Sequence, residues 1–292
     1  MDATKRIAPN NRRARGGSAV ARRFAILFWF YDNLNICLNR VQLLRRYNPG
    51  TEIYGLFGGA STDRLNFERA LAPVLDDFWA YPGEHDSRWK WRNGDILIAE
   101  WFAWRGESLS WDTVVVAQWD MLIFAAVDQL FSHVVKDQIL LSGLRPIREV
   151  EEWWYWVRGA EQDEYRRFVA HVRERYNFAA PPLCFLFVVA CLPRIFLKQY
   201  AAIDRRDLGF LEYRMPIYAQ IFRTTFCAAG SFRPWWPGDP ATSNIPQRER
   251  VLNPGMETVE AKTILSELRR PDGARLFHPF REVFPVDLGP VC

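Results

Sequence analysis

The plainest feature of the chain is an unbroken apolar run, Phe24-Ala25-Ile26-Leu27-Phe28-Trp29-Phe30, with polar residues on either side. Runs of strand length that do not alternate belong to strands covered on both faces, the habit of parallel sheets. After Asp32-Asn33 the period becomes helical. Leu34, Leu38, Val41 and Leu44 share one stripe, with Arg40, Arg45 and Arg46 off it, and Asn48-Pro49-Gly50 stops the helix. Glu52 to Phe57 reads as a second strand ending at Gly58-Gly59, which completes a strand–helix–strand unit with a right-handed crossover. A helix over Thr62 to Leu75, a short strand around Asp77 to Tyr81 and a helix over Gly94 to Trp104 follow. Asp112 to Asp120 is then the clearest strand of all, β-branched in the middle and ending on a carboxylate.

Beyond Asp120 the pattern is less regular. Glu161 to Tyr176 is a charged amphipathic helix, and Pro181-Pro182 resets the chain before an apolar segment, Leu183 to Leu192, read as buried strand or core helix turns. Glu212-Tyr213-Arg214-Met215-Pro216 lies in a further stretch from Asp204 to Ala219. Residues 231–255 are rich in Pro, Gly and Asn and read as a long loop, and Arg275 to Glu282 sets His278 after a short strand-like run. The expected architecture is one α/β domain over residues 24–292, an open, mostly parallel sheet flanked by helices.

Composition adds exclusions. The chain has 292 residues, 49% hydrophobic and 25% charged, which is globular rather than fibrous or disordered. Its net charge of +4 is concentrated at one end. Lys5, Arg6, Arg12, Arg13, Arg15, Arg22 and Arg23 face the single acid Asp2, so the rest is slightly acidic and no nucleic-acid-binding face is expected. Residues 1–23 are read as a disordered basic arm, either a solvated terminus or a weak peripheral contact with anionic lipid on the inner face of a membrane. No segment reaches the about 18 to 20 apolar residues that span a bilayer, and no signal-peptide cleavage pattern follows the arginines. Five scattered cysteines without CxxC spacing read as reduced core thiols, and the expected location is cytoplasmic.

Ligands of open α/β sheets bind beyond the carboxyl ends of the strands. Tyr31-Asp32, Gly58-Gly59 and Gln118-Trp119-Asp120 would gather there. A carboxylate at that place suits Mg²⁺ or Mn²⁺ bridging a diphosphate, since these ions use one or two carboxylates together with phosphate oxygens; a helix N-cap is the plain alternative for Asp120. There is no GxxxxGK[ST] loop, no GxGxxG after the first strand, no GxSxG and no HExxH, which argues against P-loop hydrolysis and Rossmann dinucleotide chemistry.

The order of a strand-ending Asp32, a strand through Tyr54-Gly55-Leu56-Phe57-Gly58-Gly59, the strand to Asp120, then Glu212 and then Phe277-His278-Pro279 resembles GT-A-type glycosyltransferases that use nucleotide sugars. The resemblance covers roughly residues 24–285. It implies a GT-A-like fold in which a DxD motif ends a central strand; Gln118-Trp119-Asp120 occupies that place, with glutamine for the first carboxylate. It further implies Asp120 and His278 at a Mn²⁺ or Mg²⁺ site, Asp32, Gln118, Trp119 and Asp120 at the donor, and Glu212 as the base of an inverting transfer. The partners implied are a nucleotide-sugar donor and a glycan, lipid-linked or small-molecule acceptor. Bland roles stand beside these: Asp32 as a turn residue capping the next helix, Glu212 as a helix-start residue or partner of Arg214, and His278 as a packed histidine. Trp235-Trp236 either cover the acceptor or touch a membrane, or simply anchor their loop. A non-catalytic carbohydrate-binding or interaction protein on a degenerate GT-A-like fold is the alternative function, favoured by Gln118. Nucleotidyl transfer lacks the expected Gly-rich basic loop after the first strand.

Overall fold

The computed structural model describes residues 23–230 and 232–287. The basic arm expected over residues 1–23 therefore lies outside the described residues, except Arg23. That residue already belongs to the domain, because its backbone N–H and carbonyl bond Asp112. The central sheet contains the anticipated strands: β1 (Phe24–Phe30), β2 (Ile53–Phe57), β3 (Asp77–Ala80) and β4 (Thr113–Gln118). All seven residues of β1 are buried, as its continuous apolar run requires. Counting also β5 (Leu122–Ile123), β6 (Leu140–Leu141), β7 (Arg145–Pro146), β8 (Leu183–Cys184) and β9 (Ala190–Pro193), the six-stranded sheet runs β3-β2-β1-β4-β9-β6. Strands β1 to β4 are mutually parallel, whereas β9 runs antiparallel to both β4 and β6. This is the open, mostly parallel sheet expected. The chain steps outward from β1 to β3 and then returns to β4 on the other side of β1, so a crevice opens at the carboxyl ends of β1 and β4.

Helices α1 (Leu34–Tyr47), α2 (Arg64–Leu71), α3 (Ser87–Arg92) and α4 (Gly94–Trp101) connect the first four strands. The segment expected to be one helix from Thr62 to Leu75 breaks into α2 and a 3₁₀ turn at Ala72–Val74, where Pro73 lies. Likewise α4 gives way to a π turn at Phe102–Gly106. Gly94 begins α4 against Trp29: a Cβ there would sit 2.4 Å from the indole. Gly94→Ala is therefore expected to cost about 1 to 3 kcal/mol through overpacking, read by urea denaturation.

Downstream come α5 (Val127–Leu130), α6 (Gln162–Tyr176), α7 (Arg194–Ala201), α8 (Leu211–Ile221), α9 (Ala261–Arg269) and β10 (Leu276–Phe277). The apolar segment from Leu183 to Leu192 holds two short strands, β8 and β9, joined by a buried loop rather than one long strand. Arg40 departs from the simple amphipathic reading of α1: it is 1% exposed and donates to the carbonyls of Phe280 and Glu282. With Asn39, which pairs both backbone groups of Phe284, it fastens the C-terminal segment along α1. A buried cluster ties α8 to α4. Arg214 donates to both oxygens of Asp95, at 2.7 and 2.5 Å, and to Asn93, while Tyr200 donates to Asp95. Asp95→Asn leaves a buried guanidinium without its counter-charge and is expected to cost about 3 to 5 kcal/mol in a denaturant titration.

Trp235 and Trp236 take the anchoring role of the two proposed for them. Trp236 is buried edge-to-face against Trp153 and Trp154, and Trp235 lies under the Arg250 guanidinium. Among the described residues no helix is long and apolar enough to cross a membrane. Cys37, Cys184 and Cys191 are buried in the core, as expected.

Candidate active site

At the carboxyl ends of β1 and β4 lies a cleft whose walls include Gln118, Asp120, Glu212, His278 and Arg281. Three sequence-distant segments meet there, and hydrogen-bond registry explains each meeting.

Asp120 follows β4 by two residues. No helix begins at Asp120, so the N-cap alternative does not hold: the chain turns and enters β5. Strand β10 pairs antiparallel with β5, Phe277 opposite Leu122, and this register carries the next residue, His278, back alongside Asp120. Phe280 N–H closes the arrangement on the Asp120 carbonyl at 2.7 Å. The imidazole Nε2 stands 3.3 Å from Asp120 Oδ1, and Arg281 Nε stands 3.3 Å from Oδ2. Burial alone would raise the Asp120 carboxyl; His278 and Arg281 outweigh it and hold the group below the usual carboxylate range.

The other face of His278 fixes its tautomer. Nδ1 lies 2.6 Å from the Asn253 carbonyl, which can only accept, so Nδ1 carries a proton. Nε2 then faces Oδ1 either with a second proton or with a bare lone pair. The protonated form donates to Oδ1; the lone-pair form would need a cation between the two atoms, and Nδ1–H on a backbone carbonyl is the orientation of such a ligand. Gln118 is oriented the same way: its amide nitrogen donates to the Phe187 carbonyl at 2.7 Å, which turns the amide oxygen away from that contact. Among the described residues no three His, Cys, Asp or Glu side chains converge as a metal site. Asp120 Oδ1 and His278 Nε2, 3.3 Å apart, are nevertheless two groups whose chemistry suits a divalent ion that takes its remaining ligands from phosphate and water.

Glu212 arrives by a different device. It sits in the first turn of α8, whose interior contains Pro216. Proline has no N–H to give to the carbonyl four residues earlier, and that carbonyl belongs to Glu212. It accepts from Phe185 N–H instead, at 2.9 Å, and the Glu212 carboxylate accepts from Phe187 N–H at 2.7 Å. The loop between β8 and β9 is thereby clasped to α8, and β9, pairing Ala190 with Val116, delivers that loop to Gln118. Arg214 is not a partner of Glu212, being committed to Asp95. Burial pushes the Glu212 carboxyl up to about 8, only partly opposed by the Phe187 N–H, so at neutral pH it is mostly protonated.

Asp32 and Trp119 adjoin the cleft without lining it. Asp32 is exposed beside β1, accepting from Asn33 N–H, and the cap of α1 is Asn33, whose side chain accepts from Ile36 N–H. Trp119 is buried edge-to-face against Tyr31, behind the cleft lining. Tyr31, which the sequence places at the carboxyl end of β1, lines the cleft; sequence reasoning missed Trp29, Trp91, Phe210 and Arg281, which line it as well. For Arg281 a signal existed, its place three residues after His278; the aromatic residues had none that set them apart from core.

No family model and no curated protein matches this chain. Similar solved structures include apo WbbM, a bifunctional glycosyltransferase, at 12% identity over 72% of this chain with a TM-score of 0.38. This chain spans 40% of that one. The galactosyltransferase LgtC, solved with donor and acceptor sugar analogues, is 10% identical over 70% of this chain and 74% of its own, with a TM-score of 0.39. Mouse xyloside xylosyltransferase 1 is 11% identical over 70% and 84%, with a TM-score of 0.34. The chemistry of the cleft therefore rests on its own residues.

Proposed function

We propose that the protein is a glycosyltransferase that moves a sugar from a nucleotide-sugar donor to a hydroxyl acceptor with the help of Mn²⁺ or Mg²⁺. The observation that carries this reading is the meeting of Asp120 and His278, with Gln118 and a buried Glu212, in one cleft at the carboxyl ends of β1 and β4. Asp120 Oδ1 and His278 Nε2 are the groups that would hold the cation, with Gln118 beside them in the cleft. When bound, such an ion neutralises the charge that builds on a departing diphosphate. Arg281, bonded to Oδ2 of Asp120, adds a fixed positive charge on the same side. In the transfer the acceptor oxygen bonds the anomeric carbon, the bond from that carbon to the diphosphate breaks, and the electron pair leaves with the nucleoside diphosphate. Glu212, in its ionised form, takes the acceptor's proton; a carboxyl poised near neutral pH suits general-base work, and this role belongs to an inverting reaction.

One observation favours the second reading, a non-catalytic carbohydrate-binding protein: both Asp120 oxygens already have cationic or imidazole neighbours. Thermal shift separates the two. UDP-, GDP-, CMP- and dTDP-sugars are screened with and without Mn²⁺, and a ligand at 100 times its Kd adds about 2.7 kcal/mol. Mn²⁺-dependent stabilisation together with donor turnover supports the enzyme. Stabilisation by free saccharides alone supports the binding protein.

A further inference from the structure

The cleft has one wall that the transferase chemistry leaves unused. Trp91, on α3, lines it and is 41% exposed, although the residues on either side of it are firmly held. Lys90 is buried and donates to the Gly59 carbonyl, while Arg92 bonds Glu161 and Glu164 and lies over the Trp156 ring. The indole of Trp91 leans on Trp156 and Phe210, with ring centres 5.9 and 6.0 Å away, and Phe210 and Trp156 are themselves stacked at 3.9 Å. An indole in water, fixed at both neighbours and backed by two further rings, is a rigid apolar face held ready for a ligand.

We propose that Trp91 is the stacking platform for a pyranose ring of a saccharide acceptor, which presents its hydroxyl to Glu212; the direction of transfer rests on the glycosyltransferase reading. Phe210 connects the two, touching Trp91 and standing two residues before Glu212. A sugar ring has an apolar C–H face that suits an indole and a rim of hydroxyls that needs polar partners. Glu212 and Gln118 supply such partners in the same cleft. A lipid chain needs a continuous apolar groove, which the carboxylates and Arg281 interrupt. Trp91 is thus a substrate-binding residue on the acceptor side, and Arg92, held by Glu161 and Glu164, is a positioning residue behind it.

The test uses the full chain, Trp91→Ala and Trp91→Phe, with methyl α- and β-glycosides of glucose, galactose and mannose as probes and a prenyl phosphate as the lipid control. Saturation-transfer NMR reads direct binding without any donor, and transfer assays read the KM of each substrate. The expected result is saturation of the ring C–H protons of at least one glycoside by wild type and its loss in Trp91→Ala. In transfer, Trp91→Ala raises the acceptor KM by roughly 10- to 100-fold with the donor KM little changed, and Trp91→Phe stays near wild type. Equal glycoside binding by wild type and Trp91→Ala overturns the platform while leaving the transferase reading intact. So does transfer to the prenyl phosphate alone. Failure of every nucleotide sugar to bind or react removes the transferase reading, and the platform then stands or falls on the donor-free NMR result. No glycoside binding by wild type at millimolar concentration overturns it outright.

Discussion

Glu212→Gln is expected to inactivate the protein and, at alkaline pH, to stabilise it. The two effects share one cause. In the native cleft the carboxyl is raised to about 8 because burial disfavours its charge, and among the described residues no cation bonds it. In the unfolded chain it returns to an ordinary value near 4.5. Between these values the unfolded state has released a proton that the native state keeps. Stability is therefore highest below the unfolded value and falls as pH rises toward 8, by about 1.36 kcal/mol per pH unit. Over that window the loss is on the order of 3 to 5 kcal/mol, and above it the loss is constant. Glutamine keeps the acceptor for Phe187 N–H and has no proton to lose. The variant and wild type should thus unfold alike near pH 4, while near pH 9 the variant should be the more stable by several kcal/mol in parallel urea titrations. If Glu212 is the base, the same variant loses about 10²- to 10⁴-fold in turnover with donor binding retained. Wild-type kcat/KM should rise with pH through about 8, a limb absent from the variant. Coincident pH–stability curves for the two proteins would remove the raised carboxyl, and unchanged turnover would return Glu212 to clasping its loop.

The two halves of the chain were not equally legible. Strands β1, β2 and β4 announce themselves, because a strand buried on both faces is largely apolar, and α1 between the first two shows its own stripe. That pattern alone places Asp120 at the carboxyl end of a central strand. Past Asp120 the elements that complete the cleft are two-residue strands, too short to have a period. His278 reaches Asp120 through the register of β10 on β5, which no local pattern records. The burial of Arg40 was hidden for the same reason, since its partners are backbone carbonyls about 240 positions away. Glu212 was visible as a residue but not in its setting. Pro216, inside α8, frees the carbonyl that holds the loop beside Gln118.

Asp120→Asn is expected to abolish Mn²⁺-dependent binding of the donor while leaving the domain folded. The substitution keeps the size of the side chain and an oxygen to accept from Arg281 or His278, but removes the charge that both face. A neutral amide oxygen is a poor substitute for a carboxylate toward a hard cation, and with Gln118 already neutral the variant has no anionic ligand left. The affinity for nucleotide sugar in Mn²⁺ should therefore fall to the level seen in chelator. Folding is less affected, because Arg281 is partly in water and His278 retains its bond to Asn253; a loss of about 1 to 3 kcal/mol is expected. The carboxyl of wild type is held below its ordinary value, so its contribution is present above the unfolded value and disappears as pH falls through the native one. The stability difference between wild type and variant should accordingly close in strong acid. Calorimetric titration of nucleotide sugar into both proteins, with Mn²⁺ and with chelator, decides the functional claim. Four equal isotherms would show that Asp120 serves only to join β4 to the C-terminal segment through His278 and Arg281. A metal-dependent isotherm confined to wild type would give Asp120 its role at the diphosphate.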